Sequence, residues 1–400
     1  MKYIILNFSS GFGPFLRTTE LAVAVNNLLA EKLGQRLGII VPLVYGERQK
    51  NIMLEMFGDI INRWPAELVL AEELGDFFKP LFYSHDSYQS YLENLIAYGK
   101  KVEQSIQNYL SAGLLAKTFS GQTVKVNINE IAFEINRNPK VNLGINPSYY
   151  TSFGHASDIL ERSLAEPAIK LDQAIVKKAV PLFLAIEKKQ KIHFISDPAT
   201  FSYLHNPQAI FNPKTLPYLR NRPVSKYQTE VMTPPSIGIP NKDEAVASRG
   251  VYVTVTGIEK LAHLFKEVSN LGLQIYTNRP EIIAGSVKAS PAALGHKNII
   301  LHFARSGWGS VWLSQFTQTP FITPPYDQND DPEIYFNNIS IERLGLGKIY
   351  QGQKLSELLE FVDQYKKNVE IINKNIFNIY GTLNGIDYIA ANIVKDYLNI

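Results

Sequence analysis

The chain has 400 residues, too many for one compact core; at roughly 100–200 residues per domain, two domains are expected. An apolar fraction of 45% with only 19% charged residues excludes an intrinsically disordered chain. A net charge of +3 argues against a dedicated nucleic-acid binder, and the absence of cysteine excludes disulfides, thiolate metal sites and cysteine nucleophiles.

No stretch reaches the ~18 apolar residues that a membrane span needs, and the opening run Met1–Asn7 is too short for a signal peptide. The expected location is the cytoplasm. Tyr3–Asn7 predicts a buried strand and Ser9–Pro14 a turn-rich loop. A helix follows, with Leu21, Val25, Leu28, Leu29 and Leu33 on one face, Pro14 in its first turn and Gly34 at its stop. Lys32, Arg36, Arg48 and Lys50 lie near this helix and leave peripheral membrane contact open, although scattered charges on a solvated face are the simpler reading. Leu37–Tyr45 predicts a second strand, and the strand–helix–strand order implies a right-handed parallel unit.

The middle is less regular. Tyr91–Leu115 reads as a helix, and the alternation over Val124–Ile135 as a half-buried strand pair. Asp158–Leu164 and Leu171–Lys189 read as helices and Lys191–Ser196 as a buried strand. Prolines crowd Asn206–Asn241, which predicts irregular wrapping and then a stiff interdomain tether. A second alternating unit starts at Gly250, with strands at Val251–Thr256, Leu273–Thr277, Asn298–His302 and Pro320–Thr323. Its helices are expected at Ile258–Leu271, Val311–Phe316, Leu355–Asn375 and Asn384–Leu398. The fold class is therefore α/β, with an N-terminal domain over 1–238, a C-terminal domain over 239–383 and a terminal helix over 384–400.

Three segments could carry chemistry. Gly11-Phe12-Gly13 lies between a strand and a helix, but Leu16 stands where a dinucleotide fingerprint needs its third glycine, so a tight turn or a substrate-facing loop is expected. Arg305-Ser306-Gly307-Trp308-Gly309-Ser310 follows a strand. It combines a guanidinium, a double-glycine turn and a helix start, a natural diphosphate cradle. Asp327 and Gln328, with Glu333 and Asn337 beyond, suit hydrogen bonding to sugar hydroxyls. The acidic run Asp327, Asp330, Asp331, Glu333 lacks the order of a calcium loop, so no metal and no cofactor are expected.

Arg305-Ser306-Gly307 with its helix, then Pro325, Asp327-Gln328 and Asn337, resemble the donor-binding half of GT-B glycosyltransferases. The nearest pattern is that of the lipid-linked N-acetylglucosamine transferase of peptidoglycan synthesis. Plant-type UDP-glucosyltransferases are similar too, with Gly-Trp-Asn-Ser where this chain has Gly307-Trp308-Gly309-Ser310 and an acidic–glutamine pair matching Asp327-Gln328. Gly11–Pro14 resembles the family's first N-terminal loop, and Val251–Gly257 the first strand of its C-terminal domain. The resemblance implies two Rossmann-like domains facing across a cleft, a hinge about Pro234–Asn241, and a terminal helix that crosses back to the first domain. It implies transfer of a hexosyl or N-acetylhexosaminyl group from a nucleoside diphosphate sugar to an acceptor hydroxyl that the residues leave unassigned, as they do the oligomeric state.

In that reading Arg305, Ser306 and the amides of Gly307, Trp308, Gly309 and Ser310 offset charge on the leaving diphosphate. Thr256 and Gly257 approach the same phosphates, Asp327 and Gln328 hold the sugar, and Gly11 and Gly13 line the opposing loop. Two positions depart from the family: Pro14 replaces the histidine of inverting members, and Leu313 replaces a ribose-binding glutamate. A general base then falls to His85 with Asp86, or to His155 beside Asp158, although each histidine taken alone reads more readily as a structural residue. The alternatives are a catalytically silent sugar- or nucleotide-binding protein on the same fold, and an epimerase, for which no set of acids and bases assembles.

Overall fold

The computed structural model describes residues 1–82, 87–200, 226–238, 246–255 and 258–400. His85, Asp86, Thr256, Gly257 and much of the proline-rich stretch lie outside the described residues. The chain divides into two units. Among the described residues, the first takes Met1–Ile195, the segment that ends at Thr233, and Ile386–Ile400. The second takes the segment that begins at Ser196 and the stretch Pro234–Gly385. The divisions at 233/234 and 385/386 stand beside the expected 238/239 and 383/384.

The first unit runs β1 (Tyr3–Phe8), α1 (Phe12–Leu33), β2 (Gly38–Pro42), α2 (Gly46–Arg63), β3 (Leu68–Ala71), α3 (Glu72–Phe78), α4 (Tyr88–Ala112), β4 (Leu114–Thr118), β5 (Thr123–Val126), β6 (Ile131–Arg137), β7 (Ser148–Ser152), α5 (Ala156–Ser163), α6 (Gln173–Glu187), β8 (Ile192–Ser196) and β9 (Glu230–Thr233). Its nine-stranded sheet has the order β5-β4-β3-β2-β1-β6-β7-β8-β9. From β3 to β8 all pairings are parallel, and β4 and β5 add an antiparallel edge. Every residue of β1 and β2 is buried, as a parallel strand with helices on both faces requires. Helix α1 begins at its proline-bearing turn and stops at Gly34, whose φ of 65° is the left-handed cap that glycine takes at least cost. Its predicted face holds at Leu21, Val25 and Leu29, whereas Leu33 is half exposed at the fraying end.

The alternation over Val124–Ile135 resolves differently from a strand pair. β5 forms a hairpin with β4, while β6 lies at the sheet centre between β1 and β7. The polar members of β6, Glu134 and Asn136, are therefore buried, with partners of their own. Of the proline-rich stretch, 226–233 belongs to the first unit and ends in β9, so that part is a sheet edge and not a tether.

The second unit runs β10 (Gly250–Val253), α7 (Ala262–Asn270), β11 (Gln274–Thr277), β12 (Val287–Lys288), β13 (Ile299–Phe303), α8 (Trp308–Thr317), β14 (Phe321–Thr323), α9 (Pro332–Leu344), β15 (Lys348–Ile349), α10 (Leu355–Leu359) and α11 (Val362–Tyr380). Its sheet has the order β12-β11-β10-β13-β14-β15 with parallel pairing throughout. Helix α12 (Gly385–Leu398) then returns to the first unit, where Asp396 accepts a hydrogen bond from the Tyr149 hydroxyl (2.6 Å) and pairs with Lys191 (2.7 Å).

Both parallel sheets share one logic. The chain starts in the middle, steps outward to one edge, through four strands in the first sheet and two in the second, then returns to the other side of its first strand. The order reverses between β1 and β6 in one unit and between β10 and β13 in the other. In open α/β sheets, ligands bind beyond the carboxyl ends of the strands at such a reversal.

Candidate functional site

The reversal in the second sheet puts the end of β13 at the centre of attention. Ala304 continues the strand in full burial, and Arg305-Ser306-Gly307 then turns the chain into α8. Gly307 caps that helix without a side chain. The first helical bonds run from the N–H groups of Ser310 and Val311 to the Gly307 carbonyl, at 2.9 and 3.2 Å. The N–H groups of Trp308 and Gly309 precede them, where a helix leaves donors unspent and its dipole favours an anion. Among the described residues, a Cβ added at Gly307 or Gly309 would meet nothing within 4 Å, so no described residue fills the space beside the turn.

The side chains of this turn do three different things. Arg305 extends to Asp330, with Nη2 2.7 Å from Oδ1. The Ser306 side chain is buried, with its hydroxyl 3.5 Å from the Ile334 carbonyl. Trp308, expected at the cradle, points inward: it is fully buried, packs on Trp312 and donates from Nε1 to Asn337 Oδ1 at 2.8 Å. Only its backbone can face a ligand. His302, at the end of β13, is a core residue held by Ser314 (2.6 Å) and Thr254 (2.9 Å), and burial pushes its pKa down to about 3.

Asn337, on α9, ties these parts together. Its amide nitrogen donates to the Ser306 carbonyl (2.9 Å) and Glu333 Oε1 (3.0 Å), and its oxygen accepts from Trp308 and from Thr200 (2.8 Å). The turn is thus pinned to α9, which the sequence reading missed. The signal was there: Asp331 caps the helix through the Glu333 N–H at 3.0 Å, and Pro332 opens its first turn. Burial raises the Glu333 carboxyl to about 8, with the Asp331 charge adding to the effect; burial also raises Asp330, against the pull of Arg305. Asp327 and Gln328 are exposed on the loop before α9. Asp327 pairs with Lys260 at 3.0 Å, and the Asn329 N–H and Lys260 hold its carboxyl below the usual range. Among the described residues no cluster of histidine and carboxylate side chains could hold a metal ion.

In the first unit, Gly11 stands at the reversal between β1 and β6. It takes a φ of 112°, in the region glycine favours, and its N–H donates to the Tyr45 hydroxyl at 2.5 Å. Phe12 stacks on Tyr45 with centroids 4.6 Å apart, and the Arg48 guanidinium lies 4.2 Å over the Phe12 ring. The protein's own tyrosine thus occupies the first donor of α1, while Gly13 stays exposed. Of the other basic residues near this helix, Arg36 pairs with Glu67 (2.6 Å) and Lys50 with Glu47 (2.7 Å).

His155 caps α5 at the end of β7, enclosed by the rings of Tyr150, His193 and Tyr227. Among the described residues neither ring nitrogen finds a hydrogen-bond partner, and the Glu230 carboxylate lies 3.4 Å from Nε2. Asp158, expected beside it, instead pairs with Lys226 at 2.5 Å. His193 bonds Thr229 and the Glu187 carbonyl, and burial pushes its pKa down to about 3. The structure therefore brings Arg305, Ser306 and Gly307–Ser310 together at one turn and puts His155 in a closed cluster.

Comparison with protein-family models gives no match, and comparison with curated proteins gives none either. Comparison with solved structures gives matches over the full chain. Medicago truncatula UGT71G1 complexed with UDP-glucose is 14% identical, with a TM-score of 0.51, over 99% of this chain and 98% of that one. Phytolacca americana UGT2 complexed with UDP-2fluoro-glucose and pterostilbene is 11% identical, with a TM-score of 0.57, over 100% of both chains. The glycosyltransferase SnogD from Streptomyces nogalater is 13% identical, with a TM-score of 0.52, over 99% of both. The fold is that of the GT-B glycosyltransferases. Within a GT-B fold, the Arg305 turn follows the fourth strand of the second sheet along the chain and abuts its first, at the order reversal.

Proposed function

We propose that this protein is a glycosyltransferase that takes a sugar from a nucleoside diphosphate sugar and passes it to an acceptor hydroxyl. One observation carries the reading: an open, glycine-edged helix start beside Arg305, at the strand-order reversal of the second unit. The GT-B fold supports it, and solved structures of that fold carry UDP and UDP-glucose. The amides at the start of α8 would receive the diphosphate, and Arg305 would add a cation as the leaving group gains charge. Asp327 and Gln328, exposed on the next loop, would bond the sugar hydroxyls. The transferred group would be a hexosyl or N-acetylhexosaminyl unit, and the first unit would hold the acceptor. Thr256 and Gly257 keep the phosphate role that the family resemblance implies for them, and His85 with Asp86 stays the candidate general base read from the sequence.

The test is calorimetric titration with UDP, GDP, dTDP and CMP. At least one diphosphate should bind, and Arg305→Ala should weaken it about 10-fold or more with the melting temperature kept, the loss expected for one charge-assisted contact. Unchanged affinity would remove Arg305 from the site. A second reading, a sugar-nucleotide-binding protein without turnover, is favoured by the sealed ring nitrogens of His155 and by Pro14 in the place of the family's histidine. Transfer of label from UDP-glucose or UDP-N-acetylglucosamine into any product in a cell extract separates the two.

A further inference from the structure

Arg305 does not stand free at the start of α8. Its Nη2 meets Asp330 Oδ1 at 2.7 Å, through one contact and not a two-pronged one. The same Oδ1 accepts the Asp331 N–H at 2.9 Å, so the carboxylate is fixed to the turn that opens α9. On the guanidinium edge that faces this way, Nε is buried and makes no hydrogen bond among the described residues. The pair is neither sealed nor fully solvated, with the Arg305 and Asp330 side chains 28% and 19% exposed. A single-contact pair of this kind is weak beside a two-pronged guanidinium–phosphate contact.

We propose that Asp330 competes with the ligand's diphosphate for Arg305, so that the free protein holds its own guanidinium latched and the ligand must displace a carboxylate to bind. This rests on the diphosphate site proposed above. The latch lowers affinity by the work of opening the pair. It also discriminates: a ligand without phosphates cannot recover that work, whereas a diphosphate offers one oxygen to Nη2 and, once the guanidinium turns out of the pair, a second to the unspent Nε. Asp331 and Glu333 stand behind Asp330, where Asp331 caps α9 and Glu333 bonds Asn337. Both are engaged in holding the turn, and Asp330 can give up Arg305 while keeping its bond to the Asp331 N–H.

The experiment titrates UDP, and uridine as the probe without phosphates, into the wild type, Asp330→Asn, Asp330→Ser, Arg305→Ala and the Arg305→Ala/Asp330→Asn double variant. Asp330→Asn keeps an oxygen for the Asp331 N–H, and Asp330→Ser removes the charge by a second route. Both should tighten UDP about 5- to 20-fold and leave uridine unchanged, and the gain should vanish when Arg305 is alanine, as coupled residues require. UDP affinity equal to or below that of the wild type in both Asp330 variants would overturn the latch and make Asp330 a residue that orients Arg305. Failure of the wild type and every variant to bind UDP, or the GDP and dTDP titrated above, at millimolar concentration would overturn the diphosphate site itself, and the latch with it.

Discussion

Glu134 sits on β6 at the centre of the first sheet, with its carboxyl closed off from water and Oε1 accepting from the Asn7 amide at 2.8 Å. Burial pushes that carboxyl up to about 7. A carboxyl whose pKa rises on folding is protonated in both states only well below pH 4.5; stability then falls as the pH climbs from about 4.5 to about 7, where only the unfolded state has ionised, and levels off above. The wild type should therefore lose about 3 kcal/mol from this source between pH 4.5 and pH 8, and Glu134→Gln should not. Urea unfolding of both proteins across that range measures the difference, which should grow with pH; a gap constant in pH would refute it. At the same scale, residues chosen from the sequence for their chemistry met different fates. Trp308 and His155 are both next to glycines, yet the first position of α8 turns the indole into the core and the rings around α5 close over the imidazole. Adjacency in the chain carries no information on which way a side chain points; the phase of the helix does.

At the scale of elements, α9 and the turn before α8 form one device. Asn337 uses both donors and its acceptor oxygen to join Trp308, Ser306, Thr200 and Glu333. Asn337→Ala would remove the donor to the Ser306 carbonyl and leave the buried indole N–H only its longer bond to Thr200 (3.3 Å), costing about 2–4 kcal/mol. It should also weaken UDP through a looser turn, and thermal melting with calorimetry reads both; a loss of binding at unchanged stability would speak against the pinning role. Strands show why polar residues misled the reading. β7, Ser148–Ser152, is not among the strands expected from the sequence, yet all five residues are buried, with Ser148 bonded to Gln190 (2.7 Å) and Thr151 to the Asn136 carbonyl (2.8 Å). Alternation of polar and apolar residues signals a solvent face only where nothing packs over that face, and on β6 every residue but Ala132 is buried, as in a central strand covered on both faces.

For the whole molecule, the two order reversals and the return of the last helix matter most. Ile386, Ile389, Ala390, Ile393 and Val394 of α12 are part of the first unit's core, 150 residues and more from most of its strands. A chain ending at Asn384 would forfeit roughly 6–10 kcal/mol of apolar burial and the Asp396 contacts with Tyr149 and Lys191. The first unit should then unfold at lower urea than in the full chain, followed by proteolysis of its fragments; an unchanged midpoint would contradict the assignment of α12. Much of this was legible in the chain itself. Apolar runs, helix-stopping glycines and the β/α alternation follow from local sterics and periodicity, so the sequence alone determined the α/β class, two units and the turn at Arg305. Which strands lie side by side, which carboxylate takes the Arg305 guanidinium and which histidine is closed off depend on residues far apart in sequence. Those pairings are decided only when burial brings distant groups together and each must find a partner, which no local pattern encodes.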